Sequence, residues 1–136
     1  MRVFLDANVL FSAAKSDGAV RALLRLLVDG GHECWVDDYV VTEARRTLGM
    51  KGAEAMVAFE ALLGSFKFGL MVRPLPDATH LDWLPEKDRP VFYASMRLRC
   101  DALVTGDRTH FGAAYGKVRG GVTIHSPRSM ADALLG

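Results

Sequence analysis

Short apolar runs alternating with helical repeats predict an α/β fold. The expected architecture is a three-layer sandwich, with a parallel sheet of four to five strands covered by helices on both faces. Two observations carry this reading. Val3-Phe4-Leu5, Cys34-Trp35-Val36 and Ala102-Leu103-Val104 have the continuous hydrophobicity of strands buried on both faces. Between these runs, apolar residues recur at three- and four-residue spacing. The chain has 136 residues, which fits one domain over 1–136. A domain of this size buries roughly 68% of its unfolded surface and can fold without staples.

The elements follow in order. The first strand, Val3 to Leu5, ends at Asp6. After a turn at Ser16-Asp17-Gly18, Val20, Leu23, Leu24, Leu27 and Val28 mark a helix that Gly30-Gly31 stops. Cys34 to Val36 is a second strand closed by Asp37-Asp38, and Val40, Val41, Ala44 and Leu48 suit the next helix. Met56, Phe59, Leu62 and Leu63 mark another. Leu70-Met71-Val72 is expected to form a third strand, broken by Pro74 and Pro76, with loop or short helix over 77–86. Asp88-Arg89-Pro90 reads as a helix start, continued by Val91, Phe92, Ser95 and Leu98. Ala102 to Thr105 is a fourth strand, cut off by Gly106-Asp107, and Val122 to Ile124 a short fifth. Ser126-Pro127 opens a last helix through Met130 and Leu134.

In such a fold the carboxyl ends of the strands and the amino ends of the following helices share one edge, where open α/β sheets bind ligands. Four acids are expected there. Asp6 ends the first strand, Glu43 lies early in the helix after the second, Asp88 opens the helix before the fourth, and Asp107 follows that strand. Length supports the pairing of the last two: a helix of ~11 residues runs back about 17 Å, and a strand of ~5 returns about 16 Å. Asp101, which precedes the fourth strand, is expected at the opposite edge as a turn or strand-entry residue. Taken singly, each acid has an ordinary role: strand end, helix cap, solvated helix acid or turn. Their convergence is what argues for chemistry. Asp37 or Asp38 could replace Glu43 in the set, and Glu86 could replace Asp88.

Carboxylates held together favour protonation unless a cation joins them. Oxygen ligands without a dependable His or Cys select Mg²⁺ or Mn²⁺ over Zn²⁺. Two such ions about 3.5–4 Å apart would activate a water and stabilise the leaving oxygen of a phosphodiester. His32, His80, His110 and His125 show no metal-ligand spacing. His110 is the only one near the acids, and no catalytic base is required of it.

These residues also carry a resemblance. Val3 to Ser12 (VFLDANVLFS), Val41-Thr-Glu-Ala-Arg45, Lys87-Asp-Arg-Pro-Val91 and Asp101-Ala-Leu-Val-Thr-Gly-Asp107 with Phe111 together resemble PIN-domain ribonucleases, especially the small single-domain toxins of the VapC type. The likeness covers nearly the whole chain. It implies a twisted parallel sheet flanked by helices, and Mg²⁺- or Mn²⁺-dependent cleavage of RNA. Asp6, Glu43, Asp88 and Asp107 become the metal-binding acids. Asn8, Ser12 and Thr105 become the polar residues that orient the acids or a metal-held water. Many relatives carry a further acid shortly after the fourth; here those places hold Thr109 and His110, so one ion or two is open. A small antitoxin partner and a homodimer are likewise implied.

Composition narrows the alternatives. A net charge of +1 gives no global pull on nucleic acid, so attraction must come from local clusters. Arg45-Arg46, Lys87 with Arg89, Arg97 with Arg99, Arg108 and Lys117 with Arg119 are the candidates. Arg89, Arg108 and Arg45 stand beside the acids and are the expected RNA contacts. Trp35 and Phe92 are expected in the core, while Trp83, Phe111 and Tyr115 are open to stacking on a base. Cys34 and Cys100 read as buried free thiols, and no apolar run is long enough to span a bilayer, so a cytoplasmic protein is expected. A phospho-accepting receiver would need an Asp near Leu70–Pro74 and a Lys near Ile124–Ser126, and neither is present. A dinucleotide-binding module would need GxGxxG after Leu5, and an Asp-x-Asp phosphatase an acid at position 8, where Asn8 stands. A PIN-like protein that binds RNA or a partner without cleaving is the remaining rival.

Overall fold

The computed structural model describes residues 1–71, 75 and 81–136. Its strands are β1 (Arg2–Leu5), β2 (Glu33–Asp37), β3 (Lys67–Gly69), β4 (Ala102–Val104), β5 (Val118–Arg119) and β6 (Val122–His125). They form one sheet in the order β3-β2-β1-β4-β6-β5, parallel throughout except for the β5–β6 pair. Seven α-helices accompany them among the described residues: α1 (Ala7–Lys15), α2 (Ala19–Asp29), α3 (Asp38–Leu48), α4 (Ala53–Leu63), α5 (Arg89–Arg97), α6 (Arg108–Phe111) and α7 (Pro127–Leu135). Val3, Phe4 and Leu5 of β1 and Leu103 and Val104 of β4 are sealed from solvent, as expected of central strands.

The sheet is wider than the four to five strands predicted. The addition is the short antiparallel edge β5. It turns into β6 through Gly120-Gly121, where both residues have positive φ (56° and 81°), the backbone that a two-residue hairpin requires. The third strand sits three residues earlier than predicted, at Lys67–Gly69, in register Trp35↔Lys67 and Val36↔Phe68. Gly69 lets it lie against α5, because a Cβ there would come within 2.5 Å of Leu98 Cδ1. Val72, Pro74, Pro76 and the segment 77–80 of the expected loop, with His80, lie outside the described residues.

Two helices escaped the sequence reading, α1 and the four-residue α6. α1 begins at once after β1, with Val9, Leu10, Ala13 and Ala14 buried on one face. It packs against α2, α3 and α4. Asp6 caps it: at φ −74° and ψ 159°, its Oδ1 accepts a hydrogen bond from Ala7 N at 2.7 Å. The last helix starts as predicted, with Ser126 and Ser129 in a reciprocal capping box and Pro127 behind it. Cys34 and Cys100 are buried free thiols, pushed up to about 12 by burial. No helix of the described residues is long and apolar enough to cross a membrane.

The chain builds outward from β1 to β2 and β3, then returns to the other side of β1 with β4. That reversal places a crevice at the carboxyl ends of β1 and β4, where α/β sheets bind ligands.

Candidate metal centre

Asp6 leaves β1 where the chain turns into α1, and its backbone N–H donates to Val104 O of β4 at 3.1 Å, stitching the two strands across the reversal. Its second carboxylate oxygen accepts from the Thr105 hydroxyl at 2.8 Å. Thr105, fully buried, also takes the Asp107 N–H at 3.1 Å, so one hydroxyl links the acids that end β1 and follow β4. Asn8 closes the frame: its Oδ1 accepts from Gly106 N at 2.8 Å, and its amide nitrogen lies 3.4 Å from Asp6 Oδ2.

A cleft of about 570 Å³ opens there, lined by Asp6, Asn8, Glu43, Asp88, Asp107 and His110 among others. The four acids expected at one edge thus face one space. They arrive by different routes. Glu43 projects from the second turn of α3 and is exposed. Asp88 ends a short 3-10 turn (Glu86–Asp88) at the N-cap position of α5, but its side chain makes no cap hydrogen bond and belongs to the cleft instead. Asp107 caps α6, its Oδ1 accepting from His110 N at 3.2 Å.

The electrostatics are those of crowded acids. Burial pushes the Asp6 carboxyl up to about 6, against the pull of the Thr105 and Ala7 hydrogen bonds, and the charges of Asp88 and Glu43 push the same way. Asp88 is also raised, first by burial and then by the Asp107 charge. The Asp88 Oδ2 oxygen is buried and receives no hydrogen bond. Such an arrangement suits a divalent cation, and Asp88, Asp107 and His110 offer ligand atoms that all lie within 4.8 Å of one another.

His110 stands among these acids, where the sequence reading expected oxygen atoms alone. Its Nδ1 lies 2.7 Å from Asp107 Oδ2 and 2.9 Å from Asp88 Oδ2. The first turn of α6 folds the ring back over the residue that caps the helix, an i, i+3 contact that a search for His spacing in the sequence could not reveal.

The other predicted residues fall in varied places. Asp37 caps α3 through Val40 N, and Asp38 accepts from the Thr42 hydroxyl, so neither replaces Glu43. Ser12 is exposed on α1, outside the described lining of the cleft. Arg45 is turned away: its guanidinium binds Glu60 of α4 at 2.8 Å and lies over the Phe59 ring. Two residues past Glu43, it points about 200° round the helix. Arg46, one residue on, lines a smaller groove of about 240 Å³ that shares Glu43. Arg89 Nε donates to Leu84 O at 2.9 Å, holding the approach to the 3-10 turn. Arg108 is exposed at the first position of α6. Lys87 is the one Lys or Arg among the described residues that line the cleft.

Of the aromatics open to stacking, Phe111 is fully buried, Trp83 packs edge-on against it and Phe92, and the Tyr115 hydroxyl donates to Thr105 O. Tyr115 thereby braces the residue that links Asp6 and Asp107. Asp101 lies at the far edge, where its carboxylate accepts from Arg2 N at 2.7 Å as β1 begins.

The comparisons with known proteins agree with this architecture. No curated protein matches the sequence. The VapBC2 complex from Rickettsia felis, bound to a DNA fragment from their promoter, contains a similar fold. The TM-score is 0.66 at 10% identity, over 93% of this chain and 98% of that one. FitAB bound to an IR36 DNA fragment contains another, with a TM-score of 0.61 at 17% identity, over 92% of this chain and 94% of that one. The family profile described as the PIN domain matches residues 2–109, from the strand that delivers Asp6 to the helix that Asp107 caps. Sequence and architecture therefore meet on one assignment: the chain belongs to the PIN-domain family.

Proposed function

We propose that the protein is a metal-dependent endoribonuclease that hydrolyses RNA phosphodiester bonds. The observation that carries this is the cleft at the β1/β4 reversal, into which Asp6, Glu43, Asp88 and Asp107 converge from four separate elements. Mg²⁺ or Mn²⁺ held there would supply a water activated for attack and charge to stabilise the leaving oxygen. The residues themselves do the rest. Thr105 and Asn8 hold the Asp6 carboxylate in one orientation. Lys87 at the rim, and Arg46 in the adjoining groove, offer positive charge to the phosphates on either side of the scissile bond. A polyanion is otherwise repelled by so acidic a cleft, which makes productive binding depend on the metal.

The toxin role, with a small antitoxin partner, is proposed on the likeness to VapBC2 and FitAB. The test is cleavage of RNA by purified protein with Mg²⁺, with Mn²⁺ and with chelator, beside Asp6→Asn. Cleavage is expected with metal alone and is expected to be lost in the variant. Cleavage that persists in chelator overturns the mechanism.

A further inference from the structure

We infer that His110 is a nitrogen ligand of the bound metal, and that it tilts the site toward transition-metal ions over Mg²⁺. This rests on the metal-dependent reading above and deepens it.

The geometry begins with a shortage of protons. His110 Nδ1 stands 2.7 Å from one carboxylate oxygen and 2.9 Å from another, and a ring nitrogen carries at most one hydrogen. The N–H that satisfies Asp107 Oδ2 leaves Asp88 Oδ2 buried and without a hydrogen bond, although the ring nitrogen stands 2.9 Å away. Asp88 as a whole is 8% exposed. A buried carboxylate oxygen without a donor, aimed at an imidazole nitrogen and a second carboxylate, is the second observation that a group of acids alone would lack. A cation among the three atoms resolves the conflict, because then all three donate lone pairs. Two of the three separations, 2.7 and 2.9 Å, are near the roughly 3 Å expected between neighbouring ligand atoms of a small divalent ion, and all three atoms lie within 4.8 Å of one another. The proton then belongs on Nε2, and Nδ1 is free to ligate.

The donor set decides the preference. Carboxylate and water oxygens suit both Mg²⁺ and Mn²⁺, whereas imidazole suits Zn²⁺, Fe²⁺ and Ni²⁺; of the two hard ions, Mn²⁺, as a transition metal, takes a nitrogen ligand more readily than Mg²⁺. A third carboxylate at position 110 would have kept an all-oxygen set; the histidine removes one negative charge and adds a softer atom. The other described histidines are engaged elsewhere, His32 with the Met1 amino group and His125 with the Ser129 hydroxyl.

The test is pulsed electron paramagnetic resonance of Mn²⁺ bound to the full chain, with calorimetric titration of Mn²⁺ and Mg²⁺. Nitrogen-14 modulation from a coordinated imidazole is expected in the wild type, replaced by the nitrogen-15 pattern after histidine-selective labelling and absent in His110→Ala. Mn²⁺ affinity is expected to fall at least about tenfold in His110→Ala, with Mg²⁺ affinity changed far less. His110→Asp is expected to restore metal binding with the preference turned toward Mg²⁺. The labelled wild type decides the matter even where a variant folds poorly. Mn²⁺ bound without nitrogen coupling overturns the inference, as does an equal loss of both affinities. Nitrogen coupling without RNA cleavage upholds the ligand and overturns only the nuclease; cleavage without coupling does the reverse.

Discussion

Asp6 is nearly sealed from water, and each hydrogen bond that steadies its charge is opposed by burial and by two neighbouring acids. The consequence is a pH dependence of definite sign. The folded carboxyl titrates near 6 and the unfolded one near 3.8, so the folded state holds the proton more tightly. In metal-free protein this group's contribution is most favourable below about pH 4, is lost as pH rises from about 4 to 6, and is flat above. The span is on the order of 3 kcal/mol. Asp6→Asn keeps the helix cap and removes the charge. In chelator it is expected to be more stable than wild type at pH 7, by about 1–3 kcal/mol, with the difference shrinking toward pH 4. Thermal melts across that range check it; a difference independent of pH would refute the origin given. The residue scale also shows what a sequence can hide. The four acids were legible because strand ends and helix starts share an edge. His110 was not, because its place beside the acids depends on a single helical turn, α6, that doubles back on its own cap. Nor was the orientation of Arg45, since facing Glu60 or facing the groove beside the cleft turns on one step along α3.

The elements have opposite duties at their two ends, and that asymmetry can be tested. Helices α1 and α6 begin at the site, capped by Asp6 and Asp107, so their N-terminal partial charges support the anions gathered there. Asp101 works at the other end, receiving the Arg2 N–H where β1 starts. Asp101→Ala is therefore expected to destabilise the fold by about 1 kcal/mol while leaving the cleavage rate of the folded protein unchanged. Denaturant titration beside a rate measurement decides it; a large fall in rate would mean that the two edges are coupled. The alternation of strand and helix was readable because buried parallel strands are continuously apolar. Helix α1 was missed because it follows β1 without a turn, and its small buried faces, Ala13 and Ala14, give little hydrophobic contrast. Strand β5 was missed because two residues carry no periodicity; only the Gly120-Gly121 pair, with positive φ at both, betrays the hairpin.

At the scale of the molecule, the cleft sits where the chain reverses direction across the sheet, so the acids that line it come from distant parts of the sequence. Residues 6 and 43 are held by β1 and α3, and residues 88 and 107 by the turns at either end of the α5–β4 unit. An ion that binds all of these binds only the folded chain, because the unfolded chain does not hold them together. Its binding free energy then adds to folding stability as RT ln(1 + [L]/Kd), about 2.7 kcal/mol at a hundredfold excess over Kd. For a domain of this size that raises the melting temperature by roughly 10 °C, taking 2–8 °C per kcal/mol. The same ion removes the penalty on the Asp6 charge, so the shift is expected to be larger at pH 7 than at pH 5. Glu43→Gln separates this linkage from general effects. The side chain is exposed on α3, so the metal-free protein is expected to melt within about 1 °C of wild type, as surface changes do. Its metal-induced shift is expected to shrink by several degrees, and cleavage to fall with it. Scanning calorimetry of wild type and Glu43→Gln, with Mn²⁺ and with chelator, reads both effects. An undiminished shift in Glu43→Gln would place the ion away from α3 and leave the cleft without one of its four acids.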